Sequence, residues 1–164
     1  MTKKIAIFVD VQNIYYTTRD QHGRSFNYRK FWDKISDSGE IVSAIAYATT
    51  KTDKYGKADD GQIKFQDALR HIGFEVKLKN YIQRSDGSAK ADWDVGITID
   101  VLEIAPTVDT VVLLSGDGDF DILLKKIMQE HQVETIVYGV PLLTSNAIKD
   151  TATSYQRIDA GLLL

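Results

Sequence analysis

Two stretches of the chain are apolar without interruption, Ile5-Ala-Ile-Phe-Val9 and Val111-Val-Leu-Leu114. A strand covered on both faces of a parallel sheet carries such a run, whereas a half-exposed strand alternates. Ile41–Thr49 and Glu134–Tyr138 read as further strands. Phe74–Lys79 alternates and fits a position near the sheet edge, with Lys77 and Lys79 on an outward face. Tyr155–Asp159 fits a last short strand or a docked tail. Between these runs the apolar period changes to that of a helix. Tyr28, Phe31, Trp32 and Ile35, then Phe65, Ala68, Leu69 and Ile72, then Phe120, Leu123, Leu124 and Ile127 place one apolar face each. Val95–Ala105 fits either period, but its length and the Pro106 stop favour a helix. Thr144 or Ser145 is placed to cap a short helix through Ala152. Arg19–Ser25, Thr50–Gly61 and Arg84–Lys90 have loop composition.

Strands alternating with helices predict an α/β fold, a three-layer α/β/α sandwich with a mainly parallel central sheet. The two most apolar strands belong side by side in its middle. With 164 residues, no repeat and no linker, residues 1–164 read as a single domain. The chain has no cysteine, which removes disulfides, thiolate nucleophiles and Cys-type zinc sites. His22, His71 and His131 have no ligand-type spacing. Ile5–Val9 is too short for a signal-peptide core and no stretch approaches a membrane span, so a cytoplasmic protein is expected. The net charge of −3 argues against a generally basic nucleic-acid binder, though not against a local patch.

The acids change this picture. Both central strands end in aspartate, at Asp10 and, past Ser115-Gly116, at Asp117; Asp119 and Asp121 follow at once. One aspartate here would be a helix cap. Three within five residues exceed what a cap needs, because unit charges about 4 Å apart repel by about 4 kcal/mol at an effective dielectric near 20. A cation relieves that cost. Strand ends in open α/β sheets are where ligands bind, and carboxylates without Cys or His suit Mg²⁺ or Mn²⁺. Such ions hold substrate phosphates and activate water, so hydrolysis of a phosphate ester is the implied chemistry. Asn13 is placed to cap a helical turn, to bond Asp10 or to meet an ion.

Phe8-Val-Asp10-Val-Gln-Asn13, Asp94-Val-Gly-Ile-Thr-Ile-Asp-Val-Leu102 and Leu114-Ser-Gly-Asp-Gly-Asp-Phe120 together resemble the LabA-like branch of the NYN domains, relatives of the PIN nucleases. The resemblance implies a PIN-like sandwich and a Mg²⁺- or Mn²⁺-dependent endoribonuclease centre without a covalent intermediate. By position, Asp10 is its first-strand metal ligand, supported by Asn13 and Ser115. Asp94 matches the mid-domain acid, Asp117 and Asp119 the acids of the Ser-Gly-Asp motif, and Asp121 a further acid of some relatives. The family's mid-domain acid commonly follows Lys-Gly-x, whereas Asp94 follows Ala91-Asp92-Trp93, which leaves Asp92 and Asp94 both in play.

RNA is the partner this reading implies, with Lys51, Lys54, Lys57, Arg84 and Lys90 as loop cations for its backbone. A homodimer is left open. Three other readings compete, the weakest a Rossmann-type cofactor site, since no Gly-x-Gly-x-x-Gly follows the first strand. A non-catalytic module would use the same acids to bind RNA or a nucleotide through a metal. A haloacid-dehalogenase-type phosphatase ranks lower, because it needs a second acid two residues after its nucleophile and Gln12 stands there.

Overall fold

The computed structural model describes residues 2–51, 55–80, 82–83, 89–90 and 92–164. In chain order the elements are β1 (Lys4–Asp10), α1 (Val11–His22), α2 (Tyr28–Ser36), β2 (Glu40–Thr50), α3 (Asp60–Ile72), β3 (Glu75–Asn80), β4 (Ile82–Gln83), β5 (Ala89–Lys90), α4 (Asp94–Ile104), β6 (Thr110–Leu114), α5 (Asp121–His131), β7 (Glu134–Gly139), α6 (Asn146–Thr151) and β8 (Ser154–Arg157). Short 3₁₀ turns join several of them, one of which, Gly118–Phe120, leads into α5.

Six strands form one sheet in the order β3-β2-β1-β6-β7-β8, every neighbouring pair parallel. The continuous apolar runs lie where both faces are covered: β1 is flanked by β2 and β6, with Phe8 opposite Ile45 and Leu113. Successive side chains of β1 serve opposite faces. Ile5, Ile7 and Val9 pack with Ile14, Phe31 and Leu69 on one side, while Ala6 and Phe8 pack with Ile97, Phe120 and Ile127 on the other. The result is three layers.

Several boundaries differ from expectation. Arg19–His22 continues α1 rather than forming a loop, and the chain turns at Gly23, whose left-handed φ of 62° suits glycine. Ala89–Lys90 pairs antiparallel with Ile82–Gln83 instead of lying in a loop. Lys77 and Lys79 share a face as expected, Lys79 exposed and Lys77 half-buried, but both are engaged there: the Lys77 ammonium is 2.7 Å from Asp100 Oδ2, and that of Lys79 donates to the Asp92 carbonyl at 2.8 Å. Of the two expectations for Tyr155–Asp159 the strand is the one seen, over Ser154–Arg157, pairing with β7 at the sheet edge.

Candidate metal centre

The sheet order reverses direction between β1 and β6, since the chain builds outward from β1 on one side and from β6 on the other. At such a switch point the connections leave in opposite directions and open a crevice at the strand C-termini. Asp10 and the Ser115–Asp121 segment end those two strands. Asp10 also caps α1, accepting the Asn13 N–H at 3.4 Å.

A hydrogen-bonded run ties the two strand ends together. Buried Ser115 donates from Oγ to Asp10 Oδ2 at 3.3 Å and accepts the Asp117 N–H at 3.2 Å. Asn13 Oδ1 accepts the Gly116 N–H at 2.9 Å, a link across the crevice. Asp117 Oδ1 in turn accepts the Asp119 N–H at 2.9 Å. Glycine is required at 116 because a Cβ there would collide with the Leu143 carbonyl oxygen, and this close approach lets the Gly116 carbonyl accept the Ser145 N–H at 3.0 Å.

The third acid comes from the start of α4. Trp93 fixes that start by donating its indole N–H to the Ala48 carbonyl at 2.9 Å and packing on Tyr47 with centroids 5.4 Å apart. Asp92 accepts the Asp94 N–H at 3.2 Å. Asp94 is the acid that meets the Ser115–Asp121 segment: carboxylate oxygens of Asp94, Asp117 and Asp119 all lie within 4.8 Å of one another. Asp10 and Asp121 stand outside this trio. Asp121 faces Lys125 at 3.8 Å, one helical turn on.

Burial pushes the Asp10 carboxyl up from 3.8 to about 6, against the lowering effect of its Asn13 and Ser115 bonds. Asp94 is raised to about 7, first by burial, then by its hydrogen bond to Asp117 and repulsion from Asp117, Asp92 and Asp10. Both shifts describe negative charge crowded where water is scarce. Among the expected backbone-binding cations, Lys51 and Lys57 are exposed beyond the C-terminal end of β2. Lys90 is described only through its backbone pairing, and Lys54 and Arg84 lie outside the described residues.

The profile of the NYN domain family matches residues 4–159. The chain is an NYN-domain protein. Among curated proteins it is 30% identical over 140 residues to the low amplitude and bright protein LabA of Synechococcus elongatus, covering 82% of this chain and 73% of that one. Among solved structures, a protein of unknown function from Vibrio parahaemolyticus is 50% identical, with a TM-score of 0.89 over 99% of this NYN protein and 97% of the other chain. The LabA-like resemblance and the α/β sandwich read from the sequence both hold. No helix among the described residues is long and apolar enough to cross a membrane.

Proposed function

We propose that this NYN domain is a metal-dependent endoribonuclease, hydrolysing RNA phosphodiester bonds at the crevice between β1 and β6. The observation that carries the reading is the convergence of Asp94, Asp117 and Asp119 within 4.8 Å at the switch point of a parallel sheet. All-oxygen, anionic donors fit Mg²⁺ or Mn²⁺ better than zinc or copper. Such an ion, when bound, neutralises the phosphate, supplies an activated water and stabilises the leaving oxygen.

The protein's own residues have separable tasks. Asp94, Asp117 and Asp119 hold the ion. Asp10 stands behind them, adds negative charge to the crevice and keeps Ser115 turned so that its Oγ receives the Asp117 N–H. Asn13 closes the strand ends through Gly116. Asp121 braces the first turn of α5 through Lys125. Lys51 and Lys57, with Lys54, Arg84 and Lys90, meet the phosphate backbone.

The test is cleavage of end-labelled single-stranded RNA with Mn²⁺, with Mg²⁺ and with EDTA, by wild type and Asp117→Asn. Metal-dependent cleavage absent from the variant supports the reading. Equal degradation by both assigns the activity to a contaminant. If neither cleaves, while metal raises the melting temperature of the wild type only, the domain is a binding module.

A further inference from the structure

Beside the acid crevice, between α1 and α3 at the C-terminal end of β2, lies a cavity of about 600 Å³. Its wall begins at Val11 and Gln12, immediately after Asp10. Volumes of this size accommodate small-molecule ligands. Half-exposed Tyr15 and Tyr16 stand at its rim, and their rings meet edge to face with centroids 5.4 Å apart.

Two largely buried polar side chains line the cavity. Gln66 is 6% exposed and Tyr28 is 8% exposed. Neither the Gln66 amide nor the Tyr28 hydroxyl has a hydrogen-bonding partner among the described residues. Neither is sealed off, since among the described residues the fully enclosed polar side-chain atom without a partner is Thr50 Oγ1. Their polar atoms keep accessible surface, and both residues line the cavity. Tyr28 also feels the charge of Asp10: burial and then that charge raise its hydroxyl pKa. Cavity and crevice are neighbours.

We propose that this cavity receives one unstacked nucleobase of a single-stranded RNA whose backbone runs past the neighbouring carboxylates. The inference rests on the ribonuclease reading for the strand, and on Gln66 and Tyr28 for the base. A carboxamide offers an N–H donor beside a C=O acceptor, the pair that matches adjacent acceptor and donor atoms on a base edge. The Tyr28 hydroxyl supplies a further polar contact. Tyr15 and Tyr16 offer faces on which a base stacks, and Lys51, on the cavity wall, stands ready for a flanking phosphate.

Titration of the ¹⁵N-labelled full chain in EDTA with AMP, ribose 5-phosphate and the hexanucleotide r(A)₆ tests this without reference to cleavage. AMP is expected to shift the Gln66 side-chain amide resonances, ribose 5-phosphate to leave them unmoved, and r(A)₆ to bind at least about tenfold tighter than AMP, through its added phosphates and bases. Gln66→Leu should weaken AMP about tenfold, as expected when a paired amide is removed. Tyr28→Phe, which keeps the ring, should weaken it less. Equal binding of ribose 5-phosphate and AMP, or unchanged AMP affinity in both variants, overturns the base site. Equal affinity for AMP and r(A)₆ overturns the strand. Base binding as expected by a protein that cleaves no RNA overturns the ribonuclease reading alone.

Discussion

Asp117 is fixed by its neighbours before any ion arrives. Its N–H is held by Ser115, its Oδ1 holds the Asp119 N–H, and its charge lies against Asp94. Removing that charge relieves repulsion within the crevice. Asp117→Asn should therefore raise the melting temperature in EDTA at pH 8 by a few degrees, about 1 kcal/mol for each 2–4 °C at this chain length, and abolish the further rise expected of the wild type with Mn²⁺. A lower melting temperature in EDTA would refute the repulsion account. The pH dependence has a definite sign. Asp10 and Asp94 bind protons more tightly in the folded chain than in the unfolded one. Their contribution to stability is complete below about pH 4 and is lost as pH rises through about 6 to 7. The rise of Asp10 from 3.8 to about 6 is worth about 3 kcal/mol. Asp10→Asn should remove a fall of that order between pH 4 and pH 8, read from urea midpoints in EDTA; parallel pH profiles for variant and wild type would show that burial does not raise this group.

At the scale of elements, α4 decides where the third acid stands. Gly96 lies inside α4, where alanine would normally improve a helix by about 1 kcal/mol. Here a Cβ would come within 2.6 Å of the Trp93 ring, which is held by Ala48 and Tyr47. Overpacking of this kind costs about 1–3 kcal/mol. Gly96→Ala should accordingly destabilise the protein, seen as a lower urea midpoint, and weaken metal binding by displacing Asp94; a stabilised variant would show that Trp93 yields freely.

The same helix shows why some elements were legible and others were not. β1 and β6 announced themselves because strands covered on two faces carry unbroken apolar runs, Ile5–Val9 and Val111–Leu114, all buried. In α4, Ile97 and Val101 are buried while Val95 and Ile99 stay exposed, so apolar residues on both sides blurred the period. The overrun of α1 through Arg19–His22 is polar because that turn faces water, and composition alone reads it as loop. Asp10, Asp94 and Asp117 were visible as acids at element ends, but choosing Asp119 over Asp121 for the trio needed the 3₁₀ turn, which rotates their side chains apart. Gln66 had no signal at all: a lone amide between Phe65 and Leu69 gains meaning only from the space in front of it.

For the whole molecule, a net charge of −3 and a negative crevice leave attraction of a polyanion to local cations. Lys51→Gln combined with Lys57→Gln should weaken binding of single-stranded RNA and lower the slope of log K against log salt by about 1.4, at about 0.7 for each phosphate no longer neutralised. An unchanged slope in fluorescence anisotropy would remove both lysines from the interface. The run from Asp10 through Ser115 to Asp117 has a further consequence, because Asp10 and Ser115 stand 105 residues apart in the chain. A polypeptide emerging from the ribosome exposes Asp10 long before there is an Asp117 to meet it. Only once β6 has slotted in beside β1 does the crevice exist, so a nascent chain offers no assembled acid trio to a passing ion until the segment through Asp119 has left the exit tunnel and docked.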